Sequence, residues 1–281
     1  MISCKDYVAI QKEIIKDKIK TFNRKPKLCV LQIGDNPASN TYVKNKRKDC
    51  NEVGIEFEHV HIKDYENVSQ KSLYWELVQI NADETVDGII IQLPIPDKYN
   101  VEELQKCISP EKDVDGFRSD SFFKPCTPKG IDDWLEYNNY NLEGKNVVVL
   151  GRSKIVGLPM TNICIDRGAT VTCCNSKTNK FSLLNHLRNA DLVISAVGKP
   201  KFLNYSKFLS INGYKSEVIV DVGINRDENG KLCGDINPEG FEEYLPNTYL
   251  TPVPGGVGLT TRLRLMQNTV EAYELHSKGG E

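Results

Sequence analysis

The 281-residue sequence predicts an α/β protein with two αβ domains around a cleft, the C-terminal one a Rossmann-like doubly wound parallel sheet. Three observations predict it. Short, strongly apolar runs such as KLCVLQI (27–33), GIIIQ (88–92) and NVVVL (146–150) read as strands buried on both faces, as in a parallel sheet. Segments with apolar residues at helical spacing alternate with these runs, giving a βαβ order. The length also matches two domains of roughly 150 residues.

In order, residues 5–22 space Val8, Ile14, Ile15, Ile19 and Phe22 as a helix does, and the strand 27–33 follows. Asn36-Pro37 pairs an N-cap with proline at the first helical position, opening a helix to about Val53. A strand at 55–62, a helix near 69–81, a strand at 86–93 and a short helix near 101–107 complete a first series. The charged loop from Ser109 to Lys124 carries the domain boundary, and Thr127-Pro128 repeats the cap-plus-proline device to open the next helix. A second series has a strand at 146–150, a glycine-bearing turn, a helix near 158–167 and a strand at 169–174. A helix around 180–189 and strands at 190–197 and 216–222 follow. The last helix, 260–276, comes after a long loop (251–258) and is expected to pack on the first domain. The domains are therefore expected at 1–125 with 256–281, and at 126–255.

With 36 Lys+Arg against 38 Asp+Glu, the formal charge of −2 gives no field that would concentrate nucleic acid or an anionic membrane. No apolar run reaches the roughly 18 residues of a membrane span, and the N-terminal MISCKD lacks a signal-peptide core, so a cytoplasmic protein is expected. None of the nine cysteines forms a Cys-x-x-Cys pair; reduced, mostly buried thiols and no metal site are expected. Small molecules or a second subunit are the expected partners.

Chemistry concentrates at the predicted strand ends. The turn GRSKIVG (151–157) lies between a strand and a helix, where doubly wound sheets hold phosphate on helix N-terminal amides, although only Gly151 and Gly157 remain of the usual glycine pattern. The second strand of that series ends CNSKT, without the carboxylate that accepts from an unphosphorylated ribose. Arg152, Ser176 and Lys177 there suit a phosphorylated ribose instead, favouring NADP over NAD. Ser195-Ala196-Val197-Gly198 and Val222-Gly223-Ile224 end later strands with residues small enough for a flat ring to approach, or for a tight turn. In the first half, Tyr42 and Lys46 sit four apart on one helical face, within a basic run that could equally be a solvated surface. Gln92 ends a very apolar strand, a position with reason to face a ligand or Lys46. Asp113 and Asp115 lie in the loop KDVDG, where a carboxylate suits two parallel N–H donors, or simply a turn.

Taken together, DNPASNTYVKNKRKDC (35–50), GIIIQLPIP (88–96), SPEKDVDGF (109–117), PCTPKGI (125–131), GRSKIVGLPM (151–160), NSKT (175–178), DVGIN (221–225), TPVPGGVG (251–258) and MQNTVEA (266–272) resemble the bifunctional methylenetetrahydrofolate dehydrogenase/methenyltetrahydrofolate cyclohydrolases. The resemblance runs in order over nearly the whole chain. It implies oxidation of 5,10-methylenetetrahydrofolate by NADP, hydrolysis of the methenyl product to 10-formyltetrahydrofolate, and a homodimer formed through the cofactor domains. It further implies that Lys46 is the catalytic lysine, that Tyr42 stacks on or orients the folate, that Gln92 holds the lysine and that Asp115 binds the pterin. Ser39, Pro254, Gly255 and Gly256 are implied to line the substrate site, and Gly151, Arg152, Ser153, Ile155, Ser176, Gly198 and Ile224 the cofactor site. Two departures stand out. The segment FRSDSFFK (117–124) is shorter than in relatives and lacks their histidine, which raises the alternatives of a monofunctional enzyme or a non-catalytic folate- or nucleotide-binding protein. Leu259 stands where the family usually has proline, removing a rigid start for the last helix. A more distant alternative is an NADP-dependent dehydrogenase of another small substrate, with a Lys-Asp pair as in shikimate-type enzymes.

Overall fold

The computed structural model describes residues 2–210, 214 and 216–278. By contact the chain divides into two compact units, one of Ile10–Cys126 with Arg262–Glu281 and the other of Met1–Ala9 with Thr127–Thr261.

The elements of the first half are α1 (Cys4–Ile19), β1 (Lys27–Ile33), α2 (Pro37–Val53), β2 (Glu56–Ile62), α3 (Gln70–Ala82), β3 (Gly88–Gln92) and α4 (Val101–Gln105). The strands pair in parallel in the order β2-β1-β3. Leu31, Ile33, Ile89 and Ile91 are buried with Leu73, Leu77 and Ile80 of α3, and Leu28, Val30 and Ile90 on the opposite face are buried as well, explaining why β1 and β3 are apolar along their length. Helix α2 starts at the expected proline because the Asn36 side chain accepts from the N–H groups of Ala38 and Ser39. It stops at Gly54, whose φ of 93° is open chiefly to glycine.

The second half comprises α5 (Cys126–Tyr137), β4 (Asn146–Leu150), α6 (Gly157–Asp166), β5 (Thr170–Cys174), α7 (Lys180–Arg188), β6 (Leu192–Ser195), α8 (Tyr205–Leu209), β7 (Val218–Asp221), β8 (Asn225–Arg226), β9 (Leu232–Cys233), α9 (Phe241–Tyr244), β10 (Tyr249–Leu250) and α10 (Val257–Lys278). A five-stranded parallel sheet runs β10-β7-β6-β4-β5, and β8 and β9 form a separate hairpin. The chain goes from β4 outward to β5 and then to β6 on the other side of β4. The carboxyl ends of β4 and β6 therefore flank a topological switch point, where doubly wound sheets take their ligands.

Two expectations need correcting. Helix α5 begins at Cys126, so Thr127 and Pro128 lie inside its first turn and do not cap it; proline is tolerated there because first-turn amides lack a helical acceptor. Helix α10 begins at Val257, earlier than expected, with Leu259 donating its N–H to Gly256 O at 2.9 Å, so the missing proline does not prevent the helix from starting. From Arg262 onward this helix groups with the first-half sheet: Arg262 pairs with Asp49, Lys18 with Glu274, and Tyr273 stacks on Phe22. Among the described residues all nine cysteines are free thiols, and no helix is long and apolar enough to cross a membrane.

Candidate functional site

In the first-half unit, Gln32 and Gln92 stand in register at the ends of β1 and β3. Gln92 is buried, and its Oε1 accepts from Lys46 Nζ at 3.0 Å while its Nε2 donates to Leu93 O at 2.6 Å. The amide is thus fixed with its oxygen toward the lysine. Ser39, one helical turn before Tyr42 and almost fully buried, donates to the same Leu93 carbonyl at 3.4 Å. Tyr42 and Lys46 are both half-buried on α2. Burial raises the Asp115 carboxyl's pKa, and the charge of nearby Lys46 and a hydrogen bond with the Cys126 thiol oppose that rise. Ser39, Lys46, Gln92 and Asp115 therefore converge around the carboxyl end of β3.

The two aspartates of the KDVDG loop separate by role. Asp113 is buried and accepts the Arg118 N–H at 2.9 Å, while Ser121 Oγ donates to its carbonyl at 3.0 Å, so it organises the loop. Asp115 is half-buried and presents its carboxyl. Behind it, Asn268 of α10 donates to Val114 O at 2.7 Å. The short segment after it folds back onto Gly116, where a Cβ would meet the Lys124 carbonyl carbon at 2.6 Å and the Phe123 oxygen at 2.7 Å.

In the second-half unit the turn after β4 is shaped by close approach. Gly151 has φ +112°, and a Cβ there would lie 2.2 Å from Ala196 O at the end of β6; at Gly157 it would lie 2.2 Å from Gly151 O. Both glycines are thus required by packing, at the N-terminus of the ten-residue helix α6. Ser153 Oγ accepts from the Val156 and Gly157 N–H groups at 3.3 Å each. Arg152 and Ile155 are exposed beside it. At the end of β5, Asn175 accepts the Lys177 N–H at 2.9 Å and makes a turn that leaves Ser176 and Lys177 exposed. A phosphorylated dinucleotide fits the chemistry of this set: a helix N-terminus with no room for side chains, and exposed basic and hydroxyl groups on the turns after β4 and β5. Pro254, Gly255 and Gly256 belong to this unit, in the loop between β10 and α10.

Sequence reasoning missed two carboxylates. Asp221 ends β7, is buried, and accepts the N–H groups of Gly223, Asp235 and Ile236 at 2.8–2.9 Å; burial raises its pKa to about 6. Asp235 is fully buried and accepts from Ser195 Oγ, the N–H groups of Val197, Gly198 and Lys199, and Asn225 Nδ2. The only trace in the sequence is an acidic residue closing an apolar strand, VIVD, and a Gly-Asp pair at 234–235.

Two family profiles cover almost the whole chain: the tetrahydrofolate dehydrogenase/cyclohydrolase catalytic domain over residues 2–115 and the NAD(P)-binding domain of the same family over 125–277. The bifunctional protein FolD of Vesicomyosocius okutanii is 43% identical over 269 residues, covering 92% of this chain and 93% of its own. A bifunctional FolD methylenetetrahydrofolate dehydrogenase/cyclohydrolase from Campylobacter jejuni superposes with a TM-score of 0.87 at 39% identity, over 97% of both chains. The Trypanosoma brucei N5,N10-methylenetetrahydrofolate dehydrogenase-cyclohydrolase, solved with NADP cofactor and an inhibitor, gives a TM-score of 0.85 at 27% identity over 98% of this chain and 97% of its own.

Proposed function

The chain belongs to the tetrahydrofolate dehydrogenase/cyclohydrolase family, and from that premise we propose how its residues oxidise 5,10-methylenetetrahydrofolate with NADP and hydrolyse the 5,10-methenyl product to 10-formyltetrahydrofolate. It is a bifunctional enzyme, and the monofunctional and non-catalytic alternatives are not favoured. The observation that carries the mechanism is the Lys46–Gln92 hydrogen bond of 3.0 Å at the end of β3, with the Asp115 carboxyl under the influence of the same lysine.

The two steps ask different things of the protein. NADP supplies a hydride acceptor. The aminal carbon releases hydride because the lone pair of the neighbouring nitrogen pushes it out, so this step needs orientation and no acid or base. Asp115 offers its carboxyl to the paired N–H donors of the pterin, Tyr42 lies against the ring system, and Ser39 lines the same pocket. Arg152 and Ser176, with Lys177 beside them, hold the ribose phosphate, while Gly151, Ser153 and Ile155 shape the turn that receives the diphosphate. Gly198 and Ile224 border the far end of the dinucleotide site.

Hydrolysis adds water to the methenyl carbon, after which one ring C–N bond opens. The hydroxyl formed must lose a proton and the departing nitrogen must gain one. Lys46 is placed to carry it, and Gln92 Oε1 holds the amine in reach by accepting one of its N–H groups.

We assign folate binding to the unit built on β1–β3 and dinucleotide binding to the unit built on β4–β7. We further propose a cytoplasmic homodimer joined through the dinucleotide-binding unit, which sedimentation at graded concentrations tests. The activity itself is tested by mixing the enzyme with 5,10-methylenetetrahydrofolate and NADP, with NAD in parallel. Growth of NADPH absorbance without lasting methenyl absorbance is expected. Accumulating methenyl would mean that the hydrolytic step is absent, and equal rates with NAD would remove the phosphate role of Arg152 and Ser176.

A further inference from the structure

Asp235 lies outside every residue assigned above, yet its carboxylate touches both loops that border the dinucleotide site. On the loop after β6 it accepts from Ser195 Oγ at 3.1 Å and from the N–H groups of Val197, Gly198 and Lys199 at 2.6, 3.3 and 3.0 Å. On the loop after β7 it accepts from Asn225 Nδ2 at 2.9 Å, and a Cβ on Gly223 would come within 2.4 Å of its Oδ1. Gly198 is one of its donors, and Ile224 sits between Gly223 and Asn225. The two cofactor-facing positions at this end of the sheet therefore hang from one side chain.

The arrangement continues in both directions. Ala196, between the donors Ser195 and Val197, packs its carbonyl where Gly151 leaves no space for a side chain, so the Asp235-bound loop also seats the phosphate turn. Asp235 is itself held by its backbone N–H, which donates to Asp221 Oδ1 at 2.9 Å. Three backbone N–H groups in succession on one carboxylate fix the path of 197–199, and Gly198 supplies the φ of +69° that this path requires. Glycine's freedom there is used for conformation, and the carboxylate chooses which conformation.

We propose that Asp235 is a positioning residue for the oxidative step: it sets the two loops that receive the dinucleotide and takes no part in hydrolysis. This rests on the assignment of dinucleotide binding to the β4–β7 unit. The chemistry makes the role specific to a carboxylate. Five donors converge on its two oxygens, two at Oδ1 and three at Oδ2. In Asp235→Asn one of those positions becomes an NH2, and in either orientation at least two donors then face a donor.

The test compares wild type, Asp235→Asn and Asn225→Asp, the last replacing a donor at 2.9 Å from Asp235 Oδ1 by a second carboxylate. NADP dissociation constants, dehydrogenase KM and kcat, and hydrolysis of directly supplied methenyltetrahydrofolate are measured on each. The expected result is an NADP dissociation constant and KM raised at least about tenfold in both variants, with methenyl hydrolysis within about twofold of wild type. Should Asp235→Asn not fold, Asn225→Asp carries the same comparison. NADP affinity within about twofold of wild type in the soluble variants overturns the proposal, as does a parallel loss of both activities, which would mark Asp235 as structural support alone. Failure of the wild type to bind NADP would instead overturn the assignment beneath it.

Discussion

The two parallel sheets present their carboxyl ends in different ways. At the end of β3 the functional surface is made of side chains: Lys46 on Gln92, Ser39 on the Leu93 carbonyl, and Asp115 free of the turn that Asp113 organises. At the ends of β4, β6 and β7 it is made of backbone, with Gly151, Gly157 and Gly223 packed too closely for any side chain and with two buried carboxylates collecting N–H groups. The difference matches the role proposed above for each region. Moving a proton needs a titratable group held at one point, whereas holding an extended dinucleotide needs a shaped, donor-rich surface. Changes in the two regions should accordingly damage different activities.

The largest effect is expected for Lys46→Met, which removes the proposed proton carrier. Hydrolysis of supplied methenyltetrahydrofolate should fall by about a hundredfold or more while measurable oxidation with NADP remains. Unchanged hydrolysis would take Lys46 out of the mechanism and break the contrast at its centre. The reciprocal experiment is Gly151→Ala. With φ +112° and Ala196 O in the way, the turn must shift, and NADP affinity should drop by about tenfold or more while hydrolysis persists. A titration showing normal NADP affinity in a folded Gly151→Ala protein would mean that the turn is not the cradle. Next comes Gln92→Ala, which leaves the Lys46 amine loosely held. Hydrolysis should fall by about tenfold, the equivalent of one charge-assisted hydrogen bond of about 1.5 kcal/mol, with little change in NADP binding.

The remaining effect is on stability and leaves both activities in place, and it sharpens the backbone side of the comparison. Asp221 has its pKa raised to about 6 by burial, against a model-peptide value near 3.9, so between those pH values the folded state holds a proton that the unfolded state releases. Its contribution therefore falls as pH rises from about 4 to about 6 and is level above that, by at most about 3 kcal/mol. Relative to Asp221→Asn, which does not titrate, the wild-type melting temperature should decline over that window. A constant difference across it would show that the carboxyl is ionised throughout.

Much of the fold was legible because buried parallel strands and capped helices leave local marks. Asn36-Pro37 opened α2 where the cap chemistry said it would, and NVVVL is β4 residue for residue. Thr127-Pro128 misled because the same two residues also fit inside a first turn, and nothing local distinguishes the two placements. The candidate site divides along the same line. Tyr42, Lys46 and Gln92 could be picked out because reactive side chains at helical spacing or at a strand end are unusual. Asp235 could not, because its meaning lies in backbone N–H groups 36–38 residues away in the chain, and an aspartate before an asparagine-proline turn reads as an ordinary loop residue. Long-range polar contacts made to main chain leave no periodicity to find.

Neither compact unit is a continuous stretch of chain. The unit of β1–β3 is finished by residues from Arg262 onward, with Asn268 against Val114 and Tyr273 against Phe22, while Ile2 returns to the other unit by accepting from the Trp134 indole at 3.2 Å. During synthesis the first sheet must therefore wait, incomplete, until more than half the chain has followed it out of the ribosome. The same interlacing means that a cut between residues 126 and 127 would not release two self-sufficient modules: each fragment would carry a gap that only the other fragment's end can fill.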